Sequence, residues 1–128
     1  GVADEFGWSE VHMTEYAAGD PVLAALPRTF RPFQWHSDTF SLPPGAHHLA
    51  ASSVAPVQAF RHGRATYGIQ FHFEASRAVV KHWKRAKETW IAQRYPEFLQ
   101  NHLALESAHG HEADSLGLSI SRAWVGLI

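Results

Sequence analysis

The sequence contains no cysteine in its 128 residues. Disulfide bonds and thiolate metal sites are therefore excluded, and the chain carries no cysteine nucleophile of its own. A chain without disulfides is compatible with the cytoplasm, which is the location we expect. No apolar run approaches the roughly 18 residues that a membrane-spanning helix needs. The first residues also lack the basic and then apolar pattern of a signal peptide.

An excess of charge of one sign is also missing. Eleven Lys and Arg residues stand against twelve Asp and Glu residues, which gives a net charge of -1. Because nucleic-acid-binding domains are normally strongly basic, we expect no nucleic-acid partner. The sequence has no glycine-rich phosphate loop, which argues against nucleotide phosphate binding. It also has no Gly-x-Ser-x-Gly elbow, which argues against a hydrolase with a serine nucleophile. Hydrophobic residues still make up 45% of the chain, so a folded core and one domain, or part of one, are predicted.

The first part of the chain is predicted to consist mainly of strands. Apolar and polar residues alternate there, as they do in half-buried strands. Strands are predicted at residues 8–14, 30–36, 48–52, 56–62 and 66–71, with a short helix at 21–26. Gly63 is predicted to form a tight turn, so that the last two of these strands make an antiparallel hairpin.

The pattern becomes helical after residue 74. Val79, Trp83, Ala86 and Trp90 recur at spacings of four, three and four, which places them on one helix face. Ser76 is the predicted N-cap of this helix. Further along, Pro96 is expected to begin the next helix, residues 108–112 to form a loop, and Asp114 to cap a last helix.

The stretch 67–74 carries the clearest chemical signal. If its extended backbone continues for two residues past His72, then His72 and Glu74 lie on the same side, because side chains two apart share a face of a strand. A carboxylate beside an imidazole fixes its tautomer and stabilises its charged form, as a general base requires. The pattern therefore predicts a His–Glu pair where a strand ends.

The segment from Gly68 to Glu74 resembles the Gly-x-Gln-Phe-His-Pro-Glu motif of class I glutamine amidotransferases, with Phe73 in place of the usual proline. Further segments resemble amidotransferase domains of the guanylate-synthetase type, in the same chain order. These segments are Gly7-Trp8, Trp35-His36-Ser37-Asp38, Leu42-Pro43-Pro44-Gly45-Ala46 and Gln58-Ala59-Phe60.

The resemblance implies an α/β fold, the C-terminal part of a flavodoxin-like amidotransferase domain with a mixed sheet flanked by helices. It assigns His72 as the base and Glu74 as its orienting partner in a Cys-His-Glu triad. In relatives, a loop after the second strand lines the glutamine pocket, largely through backbone groups. The corresponding positions here are Trp35, His36, Ser37 and Asp38. No cofactor and no metal are expected.

The missing cysteine leads to a further expectation. By resemblance, residues 1–128 are the C-terminal portion of one amidotransferase domain. An N-terminal half outside this chain would carry the early parallel strands and the Cys elbow, and would be its partner. The resemblance implies that the complete triad hydrolyses the side-chain amide of glutamine to glutamate and ammonia. The ammonia could then pass to a synthetase. Two alternatives stay open, namely a non-catalytic amidotransferase-like binding module and a γ-glutamyl peptide hydrolase on the same scaffold.

Another cluster is a weaker candidate for a metal site. His109, His111 and Glu112 could chelate zinc or nickel from a loop. Only three ligands lie close in sequence, whereas a closed zinc site needs four. We therefore predict no metal there.

Overall fold

A computed structural model describes all 128 residues, with seven strands followed by four helices. The strands are β1 Val2–Trp8, β2 Val11–Met13, β3 Thr29–Phe30, β4 Phe33–Asp38, β5 His47–Ala51, β6 Ala59–His62 and β7 Thr66–Ile69. The helices are α1 Arg77–Ala86, α2 Glu88–Arg94, α3 Pro96–Leu105 and α4 His111–Val125. A 3₁₀ turn at Glu15–Gly19 and a π-helical turn at Glu106–Gly110 complete the chain.

The strands form two sheets. Five of them lie in the order β3-β2-β5-β6-β7, and β1 pairs with β4 separately. The predicted α/β class with a sheet flanked by helices is confirmed, and every strand pair within this chain is antiparallel. The predicted hairpin is present between β6 and β7. Gly63 lies in its turn with a φ of 65°, a conformation that favours glycine.

Two predicted strands are divided in the structure. The strand expected at 8–14 is interrupted after Trp8, and the N–H of Ser9 donates to the carbonyl of Pro32 at 3.3 Å. The strand expected at 30–36 is split into β3 and β4 at residues 31–32, because proline has no N–H to donate to a ladder. Residues 2–7 of β1 lie ahead of the first predicted strand.

The helix predicted at 21–26 is wrong, because this segment makes only a short turn after Asp20. The buried Asp20 carboxylate accepts the N–H groups of Val22 at 2.9 Å and Leu23 at 3.0 Å. It also accepts from Arg61 Nε at 2.9 Å and from the Tyr67 hydroxyl at 3.0 Å. Burial and this neighbouring carboxylate raise the pKa of Tyr67 well above its usual value. Asp20 thereby ties the turn to the β6–β7 hairpin.

The helical part confirms two predictions and corrects three. The single helix expected to carry both Val79 and Trp90 is divided at Lys87 into α1 and α2. Ser76 caps α1, its Oγ accepting the Val79 N–H at 3.4 Å, and Pro96 is the first residue of α3. The loop predicted at 108–112 is wrong, since the π-helical turn joins α3 to α4 without leaving helical conformation. Asp114 lies inside α4 rather than at its cap, and its carboxylate accepts from the Arg77 N–H and Nε at 3.1 and 2.8 Å.

Two hydrophobic clusters hold these layers together. The first includes Val11, Leu49, Phe71 and Ile120, and joins the five-stranded sheet to α4. The second is strongly aromatic and lies between the β1–β4 pair and helices α1 to α3. Its members include Trp8, Phe33, Val80, Ile91 and Phe98, with Trp35 and Trp83 packed against them. The second cluster matters for function because its edge reaches His72.

Gly68 allows one close contact within the β6–β7 hairpin. A Cβ at this position would lie 2.2 Å from Cε1 of Phe60, whose ring packs against Phe40 at 5.5 Å. We expect Gly68→Ala to lower the free energy of unfolding by about 1–2 kcal/mol, as overpacking does. Chemical denaturation measures this, with Gly19→Ala as the control, since nothing lies within 4 Å of its Cβ position. Equal midpoints for the two variants would contradict the prediction.

Candidate functional site

The segment from His72 to Glu74 connects the end of β7 to the start of α1. Strand β7 ends at Ile69, two residues earlier than predicted. The chain nevertheless stays tied to β4, because the His72 N–H donates to the Phe33 carbonyl at 2.9 Å in an isolated antiparallel bridge. On the other side, the Glu74 carbonyl accepts the N–H of Ser76 at 3.1 Å. The segment is thus fixed at both ends.

The side chains of His72 and Glu74 meet. Nδ1 of His72 lies 2.7 Å from Oε1 of Glu74, and Nε2 lies 3.1 Å from the carbonyl oxygen of Trp35. Both neighbours are hydrogen-bond acceptors. A neutral ring can donate to only one of them, whereas a ring with a proton on each nitrogen can donate to both. The site therefore accommodates the charged form of the imidazole that proton transfer creates.

The pair remains accessible to a further group. The His72 side chain is 29% exposed and that of Glu74 is 57% exposed. The Trp83 ring, on α1, packs edge-on against the imidazole with centroids 5.2 Å apart. The imidazole is therefore held by a carboxylate, a carbonyl and an aromatic wall, while part of it stays open.

Trp35 adjoins His72 through its backbone. Its indole lies in the aromatic cluster, 5.3 Å from the ring of Phe6, 5.4 Å from Trp83 and 5.7 Å from Trp90. This packing holds the strand so that the Trp35 carbonyl points at the imidazole. The indole thus fixes the position of β4, and the backbone carbonyl of Trp35 is the group that contacts His72.

The other three predicted pocket positions belong to β4 itself, not to a loop after it, which corrects that expectation. His36 points to the opposite face from Trp35, as successive strand residues do, and its Nε2 lies 3.1 Å from Oε2 of Glu5. Ser37 donates its hydroxyl to Asp4 Oδ1 at 3.0 Å. Asp38 is exposed at the end of β4, and its carbonyl lies 3.0 Å from Nδ1 of His36. None of the four side chains forms a hydrogen bond with His72.

A buried polar network explains the position of His36, and no pattern in the sequence indicated it. Glu5 is 6% exposed, and its Oε2 accepts from Gln58 Nε2 at 2.6 Å and from Ser52 Oγ at 3.0 Å, beside His36. Gln58 in turn accepts from Gln34 Nε2 at 3.1 Å. The partners satisfy a carboxylate that would be costly to bury alone. The network joins β1 and β4 to the five-stranded sheet.

A second polar cluster links β1 to the helices. The Tyr95 hydroxyl donates to Asp4, and Nη2 of Arg94 lies 3.2 Å from the same carboxylate. The hydrogen bond from Tyr95 is the main cause that lowers the pKa of Asp4, against the opposing effect of desolvation. Because these groups are largely exposed, water screens them, and the cluster orients the Ser37 end of β4 more than it stabilises the fold.

Helix α4 passes very close to the site at Gly117. A Cβ there would lie 2.1 Å from the carbonyl oxygen of Phe73, the residue between His72 and Glu74. In the sequence, Gly117 is recognisable only as a residue that weakens a helix. The structure shows why a glycine stands at this position, since only a residue without a Cβ lets the helix backbone approach Phe73 so closely.

The structure contains no group of three or more His, Asp or Glu side chains arranged to hold a metal ion. His109 lies in the π-helical turn, and His111 and Glu112 begin α4. None of the helices combines the length and the apolar character that crossing a membrane requires.

No protein-family profile matches the sequence. It is 40% identical over 57 residues to a subunit of a glutamine-hydrolyzing GMP synthase from Thermococcus kodakarensis, a match that covers 43% of this chain and 30% of that protein. The structure is similar to a crystal structure of a glutamine amidotransferase from Thermotoga maritima. The TM-score is 0.77 at 28% identity, over 96% of this chain and 50% of that one.

A glutamine amidotransferase from Methylobacillus flagellatus shares the fold, with a TM-score of 0.73 at 21% identity, over 98% of this chain and 53% of its own. The chain thus spans about half the length of these solved relatives and less of the GMP synthase protein. The chain therefore has the fold of the solved glutamine amidotransferases, and part of its sequence is similar to that of the GMP synthase subunit.

Proposed function

We propose that this chain supplies the base and its orienting carboxylate for hydrolysis of the glutamine side-chain amide. The observation that carries the proposal is the contact of 2.7 Å between His72 and Glu74 at a strand end, where the imidazole is partly open. Glu74 holds the ring and stabilises its positive charge, which is the third-member role in a catalytic triad. In this proposal, residues 1–128 are the C-terminal portion of one domain. The nucleophile is a cysteine in the N-terminal half of the same domain.

The chemistry proceeds in two steps. The thiolate attacks the amide carbon of glutamine, and the imidazolium of His72 gives its proton to the departing nitrogen, which leaves as ammonia. The product is a γ-glutamyl thioester. In the second step, His72 takes a proton from water as the water attacks the thioester, and glutamate and the thiol are released. Because Nδ1 is held by Glu74, Nε2 transfers the proton in both steps and must exchange its contact with the Trp35 carbonyl for one with the reacting groups.

Strand β4 forms one wall of the proposed glutamine pocket. The Trp35 carbonyl already faces the imidazole at 3.1 Å. The side chains of His36 and Ser37 are held by Glu5 and Asp4. We therefore assign Trp35, His36, Ser37 and Asp38 a contribution through backbone groups.

The ammonia is proposed to pass to a synthetase. Support comes from the relative in Thermococcus kodakarensis, whose name describes it as one subunit of a glutamine-hydrolyzing GMP synthase. A partner protein that consumes ammonia would account for a hydrolase of this kind.

Ammonia release from glutamine tests the proposal. Residues 1–128 alone are expected to release none, because they contain no cysteine. Assembled with a cysteine-bearing half, they are expected to release ammonia. In that assembly Glu74→Gln is expected to lower kcat by at least about 10-fold, because an amide carries no negative charge to stabilise the imidazolium and can hold the ring in the wrong tautomer. Release by residues 1–128 alone would refute the proposal, and an assembly without turnover would favour a binding module.

A further inference from the structure

A buried carboxylate on β1 holds the interior face of β4. Glu5 is buried and lies directly opposite His36 in the β1–β4 register. Its Oε2 lies 3.1 Å from Nε2 of His36 and accepts from Gln58 Nε2 at 2.6 Å. Gln58 Oε1 in turn accepts from Gln34 Nε2 at 3.1 Å. Glu5 is therefore linked to both chain neighbours of Trp35, directly to one and through Gln58 to the other.

The His36 ring lies between two acceptors. Its Nδ1 is 3.0 Å from the Asp38 carbonyl oxygen, and its Nε2 is 3.1 Å from Oε2 of Glu5. A neutral ring donates to only one acceptor, whereas a ring with a proton on each nitrogen donates to both. The side chains of His36 and Glu5 are 7% and 5% exposed, so their attraction is screened little by salt. The pair therefore ties the backbone between residues 36 and 38 to β1.

The edge of β4 that faces away from β1 presents its backbone groups to the candidate site. The Phe33 carbonyl accepts the His72 N–H at 2.9 Å, and the Trp35 carbonyl lies 3.1 Å from His72 Nε2. Alternate residues of an antiparallel strand direct their N–H and C=O groups to the same edge, so those of Ser37 are directed there as well. The direction of the Trp35 carbonyl depends on the peptide group that joins Trp35 to His36.

We propose that Glu5 is a positioning residue for the candidate site, which acts through His36 to fix the peptide groups of β4 that contact His72 and glutamine. Glu5 itself forms no hydrogen bond with His72. The role in glutamine binding rests on the proposed function. The inference adds that a carboxylate on β1, on the opposite face of the sheet from Trp35, determines how well glutamine binds.

Nuclear magnetic resonance of residues 1–128 tests the positioning role without turnover. Glu5→Gln keeps the size of the side chain and removes its charge. We expect it to shift the amide signals of residues 35–38 and the ring signals of His72, which contacts the Trp35 carbonyl. Asp20→Asn is the matched control, because Asp20 is a buried carboxylate whose hydrogen bonds come from outside β4. It is expected to leave these signals in place.

Kinetics of the assembled enzyme test the role in glutamine binding. We expect Glu5→Gln to raise KM for glutamine about tenfold, the loss expected for one charge-assisted hydrogen bond. The value of kcat should change by less than about threefold, because His72 and Glu74 are both kept. Asp20→Asn should leave both constants unchanged below its unfolding transition. Partial unfolding would lower the fraction of active enzyme and hence kcat, without a change in KM.

A second variant keeps the test valid if Glu5→Gln fails to fold. His36→Asn removes the imidazole that links Glu5 to the backbone of β4, while Gln58 and Ser52 still donate to the carboxylate. It is expected to raise KM by a similar factor. Because Glu5 acts through His36, the double variant should be no worse than the more affected single variant. Effects that multiply in the double variant would overturn this route.

The outcomes separate this inference from the proposed function. Unchanged signals of residues 35–38 and His72 in Glu5→Gln overturn the positioning role, and so does an unchanged KM in an assembly that hydrolyses glutamine. Equal shifts of these signals in Glu5→Gln and Asp20→Asn would show a general loosening of the fold, which also overturns it. An unaltered assembly that hydrolyses no glutamine counts against the proposed function, while the comparison of signals still decides the positioning role.

Discussion

Replacing His72 by asparagine is expected to reduce kcat for ammonia release about a thousandfold in the assembled enzyme, within the range that a positioned acid–base group contributes. Asparagine is close to histidine in size and can keep a hydrogen bond to Glu74. It cannot take a proton from a thiol or water, nor return one to the departing nitrogen. The loss should therefore appear in kcat, with KM changed only a few-fold, because glutamine binding does not depend on proton transfer.

The control for this variant is His82→Asn, an exposed histidine on α1 that forms no hydrogen bond or ion pair with His72 or Glu74. Its activity should match that of the unaltered enzyme. Circular dichroism and the unfolding midpoint show whether each variant folds. If His72→Asn folds and keeps activity within threefold of the unaltered enzyme, His72 is not the base. A rise in KM alone would instead indicate a role in binding.

The His72–Glu74 contact was predictable from sequence for a local reason. Two residues that share a face of an extended chain need only two positions of regular backbone. The prediction assumed two such positions after His72, but strand β7 ends at Ile69, His72 makes only an isolated bridge to Phe33, and residues 73–74 lie in a turn. The two side chains still meet, with Nδ1 of His72 2.7 Å from Oε1 of Glu74, so the contact is present while the extended backbone expected between them is not.

The surroundings of the pair could not be predicted in this way. Glu5 bonds to His36, Ser52 and Gln58, which lie 31, 47 and 53 positions further along the chain. Periodic patterns report which face of an element is apolar, and they do not report distant partners of a buried carboxylate. A charged residue in a strand is therefore predicted to be exposed unless its partners are known.

The structural role of two glycines could not be predicted for a similar reason. Gly110 stands within the segment 108–112 that is predicted to be a loop, yet it lies in a continuous helical segment. A Cβ there would lie 2.7 Å from Cδ of Arg77, which packs across it. The residue is needed for close packing between α1 and the turn before α4, not for a break in the chain. A glycine in a sequence is consistent with either close packing or a break in the chain, and the sequence alone does not distinguish them.

Gly117→Ala distinguishes these two uses of glycine at the candidate site. If helix propensity alone acted, alanine would raise the free energy of unfolding by up to about 1 kcal/mol. The structure predicts the opposite sign, because the new Cβ would lie 2.1 Å from the Phe73 carbonyl oxygen. That neighbour is backbone and cannot rotate away. We expect a loss of about 3 kcal/mol, at the upper end of overpacking costs.

The same variant should disturb the site, because Phe73 lies between His72 and Glu74. A displaced Phe73 backbone changes the direction of both side chains, and misplacement by about 1 Å can cost about a hundredfold in rate. We expect at least a tenfold lower kcat, measured below the unfolding transition, and altered NMR shifts of the His72 ring. Gly126→Ala is the matched control in the same region, since its Cβ would meet only backbone oxygens at 3.4 and 3.5 Å. A gain in stability for both variants would show that α4 can move away from Phe73, and that the close approach does not hold the pair in place.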